Sequence, residues 1–401
     1  MTTTKNNEHK NIKVPNLRFP EFQGEWEKMR LDAFTKRVMR KNKSNQSRLP
    51  LTISAQYGLV DQITFFNKVV ASTDLSNYYL LKKGEFAYNK SYSSDYPWGA
   101  IKRLDNYDQG ALSSLYICFA PQDNVVSDFI LQYFESPKWH KGISEIAVEG
   151  ARNHGLLNVA VQDFFHTYHY VPKDKKEQIK ISKLLMLLDE RIVTQNKIIE
   201  DLKKLKSAII EIEYTPNTKN TSPIGDVIEQ ISKRNKNNAI QNVLSVSNRQ
   251  GFIKQSDQFE NRNVASEDTS NYKIVEQNDF AFNPARINVG SIARLTTFEK
   301  GIVSPMYVCF RTQENVAPEY IDYFFESKHF YCEIQKRLEG SVRQCLSFEG
   351  LCNIPLSLPS FEIQQRIGKR IFTLGQKIKM ETDLLELLNK QKQYLLRQIF
   401  I

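Results

Sequence analysis

Residues 177–212 read EQIKISKLLMLLDERIVTQNKIIEDLKKLKSAIIEI, a stretch without glycine or proline. Its apolar side chains recur at heptad spacing, which places them along one narrow stripe of a long α-helix. We call this stripe the first seam; it consists of Ile181, Leu185, Leu188, Ile192, Gln195, Ile199 and Leu202. Such a stripe predicts a helix that packs against a partner helix, and the polar Gln195 can set the register of the pair.

The same seam occurs a second time, 186 residues further along the chain. The second seam consists of Ile367, Ile371, Leu374, Ile378, Glu381, Leu385 and Leu388, with Glu381 in the place of Gln195. Gly368 and Gly375 make the second copy the weaker helix former, because glycine costs about 1 kcal/mol relative to alanine in a helix interior. Two copies of one long helix most simply pack against each other, and we predict that they do so antiparallel.

The segments that precede the two helices are also duplicated. Asn278–Asn283 (NDFAFN) lies 194 residues after Gly84–Asn89 (GEFAYN), and Tyr320–Ser327 (YIDYFFES) lies 191 residues after Phe129–Ser136 (FILQYFES). The offset falls in small steps, as it does when two related domains differ by short loop deletions. We therefore predict an α+β protein with two globular α/β domains in tandem, each followed by a long helix. The two helices then pair as an antiparallel coiled coil with pseudo-twofold symmetry.

The predicted organisation assigns the chain to six segments. They are a disordered N-terminus (1–13), a first domain (14–172), a first long helix (173–215), a linker (216–223), a second domain (224–358) and a second long helix (359–401). Within the first domain the pattern predicts a helix at Ser127–Glu135 and an aromatic strand at Val161–Val171.

The composition is that of a globular protein, with 41% hydrophobic and 25% charged residues. The chain has no apolar run of membrane length and no signal-peptide pattern, which predicts a cytoplasmic protein whose five cysteines are reduced. Lys and Arg number 55 and Asp and Glu 45, a net charge of +10 that is compatible with a polyanionic partner.

Enzymatic motifs are weak in this sequence. Asn283-Pro284-Ala285-Arg286 is similar to the Asn/Asp-Pro-Pro-aromatic loop of amino-methyltransferases, but the second proline and the aromatic residue are missing, and no glycine-rich cofactor loop is present. His166 and His169 fall on the predicted strand and point to opposite faces, which disfavours a metal site. We therefore predict no catalytic residue, metal site or cofactor in this chain.

The loops between the duplicated segments differ between the two halves, as expected for two binding modules on one scaffold that read different targets. Arg, Asn and Gln pair with base edges in the DNA major groove, and Lys contacts phosphates. The candidate DNA-binding residues are Gln56, Tyr57, Lys90, Ser91, Tyr92, Arg152, Asn153 and His154 in the first half, and Asn248, Arg249, Arg286, Asn288, Ser341, Arg343 and Gln344 in the second. The alternative interpretation of each is a solvated loop residue without a binding role.

The chain resembles the specificity (S) subunit of type I restriction–modification systems. The resemblance is carried by Leu17–Phe22 with Gly24–Trp26, by Ile224–Val227 at the start of the second domain, and by the helix starts at Pro172 with Glu177–Ile179 and Pro359 with Ile363–Ile367. The N-terminal segment is similar to staphylococcal and related Gram-positive members in particular. Leu31-Asp32-Ala33 departs from the Leu-Gly-Asp-Val that is frequent in the family.

The resemblance implies a reader of DNA sequence. Each half would be a target recognition domain for one half of a bipartite target in double-stranded DNA, and the paired helices would fix the spacer. The subunit would be non-catalytic and would bind two modification (methyltransferase) subunits, which carry S-adenosylmethionine, and up to two restriction subunits, which use ATP and Mg²⁺. The alternatives from other classes are a self-sufficient DNA methyltransferase or nuclease, and a coiled-coil adaptor that does not bind DNA.

Overall fold

A computed structural model describes residues 13–68, 70–147, 155–215, 221–248, 250–258, 268–340 and 344–401. The predicted disordered N-terminus lies outside the described residues except for Lys13. The chain divides into two compact units: unit 1 is Met1–Gln195 with Leu384–Ile401, and unit 2 is Asn196–Asp383.

The first half alternates short strands and helices before one long helix. Its strands are β1 (Glu27–Arg30), β2 (Thr35–Arg37), β3 (Pro50–Ser54), β4 (Gly58–Asp61), β5 (Tyr79–Lys82), β6 (Phe86–Asn89), β7 (Ala100–Arg103), β8 (Gln109–Leu112), β9 (Ile117–Pro121) and β10 (Tyr168–Val171). Its helices are α1 (Leu31–Phe34), α2 (Gln62–Phe66), α3 (Ser127–Glu135), α4 (His140–Ile146), α5 (Val161–His166) and the long α6 (Lys175–Tyr214), with a 3₁₀ turn at Lys43–Asn45.

The second half repeats this order. Its strands are β11 (Thr221–Pro223), β12 (Ile228–Ile231), β13 (Val243–Ser247), β14 (Gly251–Lys254), β15 (Lys273–Glu276), β16 (Phe280–Phe282), β17 (Ile292–Arg294), β18 (Lys300–Val303), β19 (Val308–Thr312) and β20 (Pro355–Ser357). Its helices are α7 (Gln255–Gln258), α8 (Pro318–Phe324), α9 (Lys328–Gln335), α10 (Phe348–Cys352) and the long α11 (Phe361–Ile399), with 3₁₀ turns at Ile224–Asp226 and Ile287–Val289.

The sheets of the two units have the same topology. Unit 1 contains four-stranded sheets in the orders β2-β9-β6-β7 and β4-β3-β8-β5, and unit 2 contains β12-β19-β16-β17 and β14-β13-β18-β15. In each second sheet the pair β3–β8 or β13–β18 is parallel, and the neighbouring pairs are antiparallel. The structure therefore confirms the predicted α+β fold with a duplicated scaffold.

Equivalent aromatic pairs fill the two domain cores. Phe86 faces Phe119 across β6 and β9, and the rings stack at 5.4 Å with 8° between their planes. Phe280 and Phe310 take the same places on β16 and β19 and stack at 5.1 Å, also with 8° between the planes. All four side chains are fully buried, so the repeated sequence motifs form the centre of each core.

Both seams are covered along their whole length. Each of their residues is buried or half-buried, although most neighbouring positions on α6 and α11 are exposed. In unit 1, Asp189 in the first half of α6 pairs with Lys392 in the second half of α11 at 2.5 Å. In unit 2, Glu213 near the end of α6 pairs with Arg370 near the start of α11 at 3.4 Å. The predicted antiparallel arrangement of the helices is therefore observed within each unit.

A buried glutamine joins each long helix to the domain that precedes it. In unit 1, Gln178 accepts a hydrogen bond from the Val126 amide at 2.8 Å and donates one to the Pro172 carbonyl at 2.8 Å. In unit 2, Gln364 accepts from the Ala317 amide at 3.0 Å and donates to the Pro359 carbonyl at 2.8 Å. Both glutamines are buried. Val126 and Ala317 directly precede α3 and α8, so each glutamine ties three segments together.

Glycine is unfavourable in a helix interior, but at Gly368 it is required by packing. A Cβ atom built at this position would lie 2.9 Å from the Cβ of Glu319 on α8. The equivalent position in the first copy is Ser182, which is also buried. The glycine therefore permits a close approach of α11 to α8.

The predicted strand at Val161–Val171 is wrong over its first part. Residues 161–166 form helix α5, which buries Phe164 and Phe165, and only β10 is extended. A short aromatic run has no period that distinguishes a strand from a buried helical turn. In the predicted linker, β11 pairs with β20, and residues 216–220 lie outside the described residues.

His169 on β10 is a structural residue of the unit 1 core. Its two ring nitrogens lie 2.8 Å from the Tyr133 hydroxyl and 2.8 Å from the Thr167 hydroxyl. Burial lowers the pKa of His169 to about 3, so the imidazole is neutral in the folded chain. His166 instead ends α5.

We predict that Gln178→Ala lowers the free energy of unfolding of unit 1 by about 1–3 kcal/mol, because a buried amide and a buried carbonyl lose their partner. All three tryptophans (Trp26, Trp98 and Trp139) lie in unit 1, so urea unfolding followed by tryptophan fluorescence reports on this unit. Gln162→Ala, the same chemical change at an exposed site of α5, is the control and should leave the transition in place. Equal midpoints for the two variants would contradict the anchor role.

We predict that His169 makes unit 1 less stable as the pH falls. Its pKa is about 3 when folded and about 6.5 when exposed, so between these values the unfolded chain binds a proton that the folded chain does not. The stabilisation is complete above pH 6.5, and about 2 kcal/mol of it is lost between pH 7 and pH 5. His169→Gln should flatten the pH dependence of the urea midpoint, and His166→Gln should not. Parallel pH profiles for wild type and His169→Gln would disprove this role.

Candidate nucleic-acid interface

In unit 1, the loop after β6 is held beside a second segment. The Leu157 amide donates to the Lys90 carbonyl at 2.9 Å, and the Tyr92 amide donates to the Gly155 carbonyl at 2.9 Å. Ser91 forms a β-bridge with Leu156 between these two bonds. Three of the predicted residues, Lys90–Tyr92, are thus fixed by their backbone, and the side chains of Ser91 and Tyr92 remain exposed.

In unit 2, the loop after β16 has an equivalent backbone contact. The Leu346 amide donates to the Pro284 carbonyl at 3.1 Å. On the same loop the Val289 carbonyl accepts a hydrogen bond from the Asn248 side chain at 3.3 Å. The structure therefore brings Asn248, at the β13–β14 turn, to the loop that carries Arg286 and Asn288. Arg286 is exposed and Asn288 is half-buried.

The remaining predicted residues are less closely grouped. Gln56 and Tyr57 lie at the β3–β4 turn, and Tyr57 is 69% exposed. Among the described residues, no hydrogen bond joins this turn to the Lys90–Tyr92 loop. Gln344 is exposed two residues before Leu346. Six of the predicted residues lie outside the described residues: Arg152, Asn153, His154, Arg249, Ser341 and Arg343.

Asn283 of the methyltransferase-like tetrapeptide is used by its own turn. Its side-chain oxygen accepts a hydrogen bond from the Ala285 amide at 3.1 Å, and its backbone amide donates to the Ser291 carbonyl at 3.0 Å. The residue is buried, and its amide group shapes the strand-end loop. Such a position favours a structural role over the binding of a target amino group.

Other site chemistry is sparse in the part of the chain that the structure describes. It contains no group of three or more His, Cys, Asp or Glu side chains placed to hold a metal ion. None of its helices is both long enough and apolar enough to cross a membrane. Burial raises the pKa of the Cys118 and Cys309 thiols to about 12, which leaves them protonated core residues.

Two exposed basic loops are absent from the predicted DNA-binding residues. The first basic loop is Arg40-Lys41-Asn42-Lys43, and the second basic loop is Lys233-Arg234-Asn235-Lys236, 193 residues later. All six basic residues have an Arg or Lys at the equivalent position of the other loop, and the asparagine is shared. The recurrence of this pattern at the repeat offset is the sequence signal that identifies the loops.

Residues 216–390 match the family described as type I restriction modification DNA specificity domain. A search of curated proteins found no match.

Two solved structures share the fold over nearly the whole chain. One is the S subunit of a type I restriction–modification system from M. genitalium, with 15% identity, coverage of 97% of this chain and 99% of that chain, and a TM-score of 0.57. The other comes from a study of complex assembly and conformational transition of the type I R-M system, with 13% identity, coverage of 94% and 97%, and a TM-score of 0.54.

At these identities the two structures establish likeness of fold alone, and the predicted likeness to staphylococcal members stays a prediction. The domain match, however, covers most of the second half of a chain whose first half has the same topology. The second half of this chain thus matches the type I restriction modification DNA specificity domain, and the whole chain has the fold of the solved type I S subunit.

Proposed function

We propose that this chain is an S subunit that reads a bipartite target in double-stranded DNA, with one domain for each half of the target, and that it is the assembly scaffold of a restriction–modification complex. The observation that carries the proposal is the contrast between the two units. They repeat the same sheets and the same glutamine anchor, but they present different side chains at equivalent loops. A shared scaffold with divergent loops is what two readers of different sequences require.

The loop chemistry supports recognition of bases. In unit 2, exposed Arg286 and the neighbouring Asn248 and Asn288 supply guanidinium and amide groups, which match guanine and adenine edges in the major groove. In unit 1, Lys90 and Tyr92 take the equivalent loop, so a different half-site is expected there. The net charge of +10 favours contact with phosphates.

The catalytic steps belong, in this proposal, to partner subunits. Two modification subunits would supply S-adenosylmethionine and methylate adenine, and up to two restriction subunits would supply ATP- and Mg²⁺-dependent cleavage in the cytoplasm. This chain would hold no cofactor. The rival reading as a self-sufficient methyltransferase is weakened by Asn283, whose amide is engaged within its own turn.

The long helices offer a surface for such partners. On α6, the apolar side chains of Ile198, Leu205 and Ile212 recur every seven residues and are exposed. On α11, Leu387 and Tyr394 are likewise seven apart and exposed. Because the seams of both helices are already covered, these second stripes are free to pack against helices of the modification subunits. The structural relative from a study of type I R-M complex assembly is consistent with this role.

The experiment that tests the function is long-read sequencing of adenine methylation in the host, with and without this gene. We expect a split motif with a fixed spacer to disappear on deletion, because sequence choice resides in this chain. If every methylated motif persists, the chain does not direct methylation and the proposal fails.

We predict that Arg286→Ala relaxes base choice in one half of the motif and that Tyr92→Ala, on the exposed loop after β6, affects only the other half. Each substitution removes a polar contact in one domain, which is worth about 1–3 kcal/mol of discrimination where the contact is to a base. Complementation of the deletion strain with each variant, followed by methylation sequencing, gives the readout. The two variants are matched controls for each other. Unchanged motifs in both strains would remove these residues from the reading surface.

We predict that Leu205→Glu releases the modification subunits, because it places a charge within an apolar stripe that a partner would bury. Ser207→Glu introduces the same charge at an exposed site of the same helix and should leave the complex intact. Co-purification of the subunits, followed by size-exclusion chromatography, distinguishes the two. A stable complex with Leu205→Glu would exclude this stripe as the docking surface.

A further inference from the structure

The two basic loops are equivalent in structure as well as in sequence. In the first basic loop, the Asn42 amide donates to the Tyr78 carbonyl at 2.9 Å, and the Arg40 carbonyl accepts from the Leu80 amide at 2.8 Å. In the second, the Asn235 amide donates to the Tyr272 carbonyl at 3.0 Å, and the Lys233 carbonyl accepts from the Ile274 amide at 2.8 Å. Each loop is thereby attached to the strand β5 or β15.

A buried asparagine closes each loop from inside. The Asn42 side chain accepts from the Ser47 amide and donates to the Ser47 carbonyl, both at 2.8 Å. The Asn235 side chain accepts from the Ile240 amide at 3.1 Å and donates to the Ile240 carbonyl at 2.9 Å. Both asparagines are almost completely buried. The loops therefore hold one conformation through reciprocal side-chain bonds and not through packing alone.

A second asparagine stabilises the turn that follows. Asn45 and Asn238 have positive φ angles of 50° and 48°, a conformation that asparagine tolerates better than most residues. The Asn45 side chain accepts from the Leu75 amide at 3.0 Å, and the Asn238 side chain accepts from the Thr269 hydroxyl at 3.0 Å. A turn fixed in this way presents its charges with little conformational freedom left to lose on binding.

The charge on these loops is strongly positive. The groove at the second basic loop is lined by Lys233, Arg234, Lys236 and Lys300 together with polar and apolar residues, and no carboxylate is among its lining residues. Some cations have partners: Lys300 pairs with Glu276 at 2.9 Å, and Arg40 in the first basic loop pairs with Glu85 at 2.7 Å. Lys43 and Lys236 occupy equivalent, exposed positions at the ends of the two loops.

We infer that the two basic loops are phosphate-binding elements, each contacting the DNA backbone with Lys43 or Lys236 foremost. The two duplicated domains differ in some loops and agree in others. Loops that read bases must diverge when the two half-sites differ, whereas a contact to phosphate carries no sequence information and can stay the same. The basic loops share their basic residues, the buried asparagine and its hydrogen bonds to the equivalent Ser47 or Ile240, whereas the candidate reading loops differ. This inference rests on the proposed function in DNA recognition.

The test uses the complete complex with its modification subunits and a duplex that contains the methylated motif. DNA affinity is measured by fluorescence anisotropy between 50 and 300 mM salt for wild type and for the double variant Lys43→Gln, Lys236→Gln. Each phosphate contact contributes about 0.9 to the slope of log affinity against log salt concentration, so the double variant should lose about 1.8. The methylation motif should not change, because no base contact is removed.

The matched control is Lys141→Gln with Lys328→Gln, which removes the same two charges from exposed sites on α4 and α9. Its salt slope should stay within about 0.5 of wild type, because the contact and not the net charge determines the loss. An unchanged slope in the loop variant would overturn the inference. Release of the modification subunits would also overturn it, since the loops would then contact protein, as would an altered motif. If instead the wild-type complex shows no salt-dependent binding and no motif, the proposed function itself fails.

Discussion

The structure depends on one repeated interaction, the buried glutamine at the start of each long helix. The first amides of a helix have no intrahelical hydrogen-bond partner, and backbone groups at a buried strand end also lack partners within the sheet. Gln178 and Gln364 satisfy such groups in their domains by accepting from one amide and donating to one carbonyl. Because an unpaired buried group costs about 1–3 kcal/mol, the domain and its helix hold one orientation relative to each other within each unit.

The second constraint is that the core of each unit contains residues from the end of a long helix that belongs to the other half of the sequence. In unit 2 the last turn of α6 supplies Tyr214, whose ring lies 4.8 Å from that of Tyr320. In unit 1, Phe400 directly follows α11 and lies 186 residues after Tyr214, and its ring lies 5.5 Å from that of Phe129. The core of the second domain therefore includes the end of α6, and the core of the first domain includes the C-terminal residues of the chain.

A buried charged residue of unit 1 has an apolar equivalent in unit 2. Glu177 is buried beside Gln178 and is bound by Arg18 at 2.8 Å and by the Trp26 indole at 3.1 Å. The equivalent residue in unit 2 is Ile363. A buried carboxylate requires both partners, because its loss of hydration must be offset by charge and hydrogen bonds. The N-terminal segment that distinguishes the first repeat thus supplies the partners that only this repeat needs.

Sequence patterns predicted what depends on periodicity or repetition. Heptad spacing predicted both long helices and their buried faces. The repeat offsets predicted two domains of the same topology. The patterns failed where tertiary contact decides: residues 161–166 form a helix that buries Phe164 and Phe165, and Gly368 marks a close approach to Glu319. The candidate site was only partly predictable, because Asn248 in the β13–β14 turn contacts the Arg286 loop, which is distant in sequence. The basic loops were visible as a repeated motif, but their significance lies in Asn42 and Asn235, whose burial no spacing reveals.

In each domain, the residues that hold the structure differ from the exposed residues of the candidate reading loops, so one scaffold can recognise different targets. The loops after β6 and β16 are held by backbone groups, from Lys90 to Leu157 and from Pro284 to Leu346. A bond between backbone atoms persists when the side chains change, provided the new residues adopt the same extended conformation. The helix anchor lies in other residues, at Gln178 and Gln364. Substitutions at the exposed loop positions can therefore alter recognition without loss of the bonds that hold each domain to its helix.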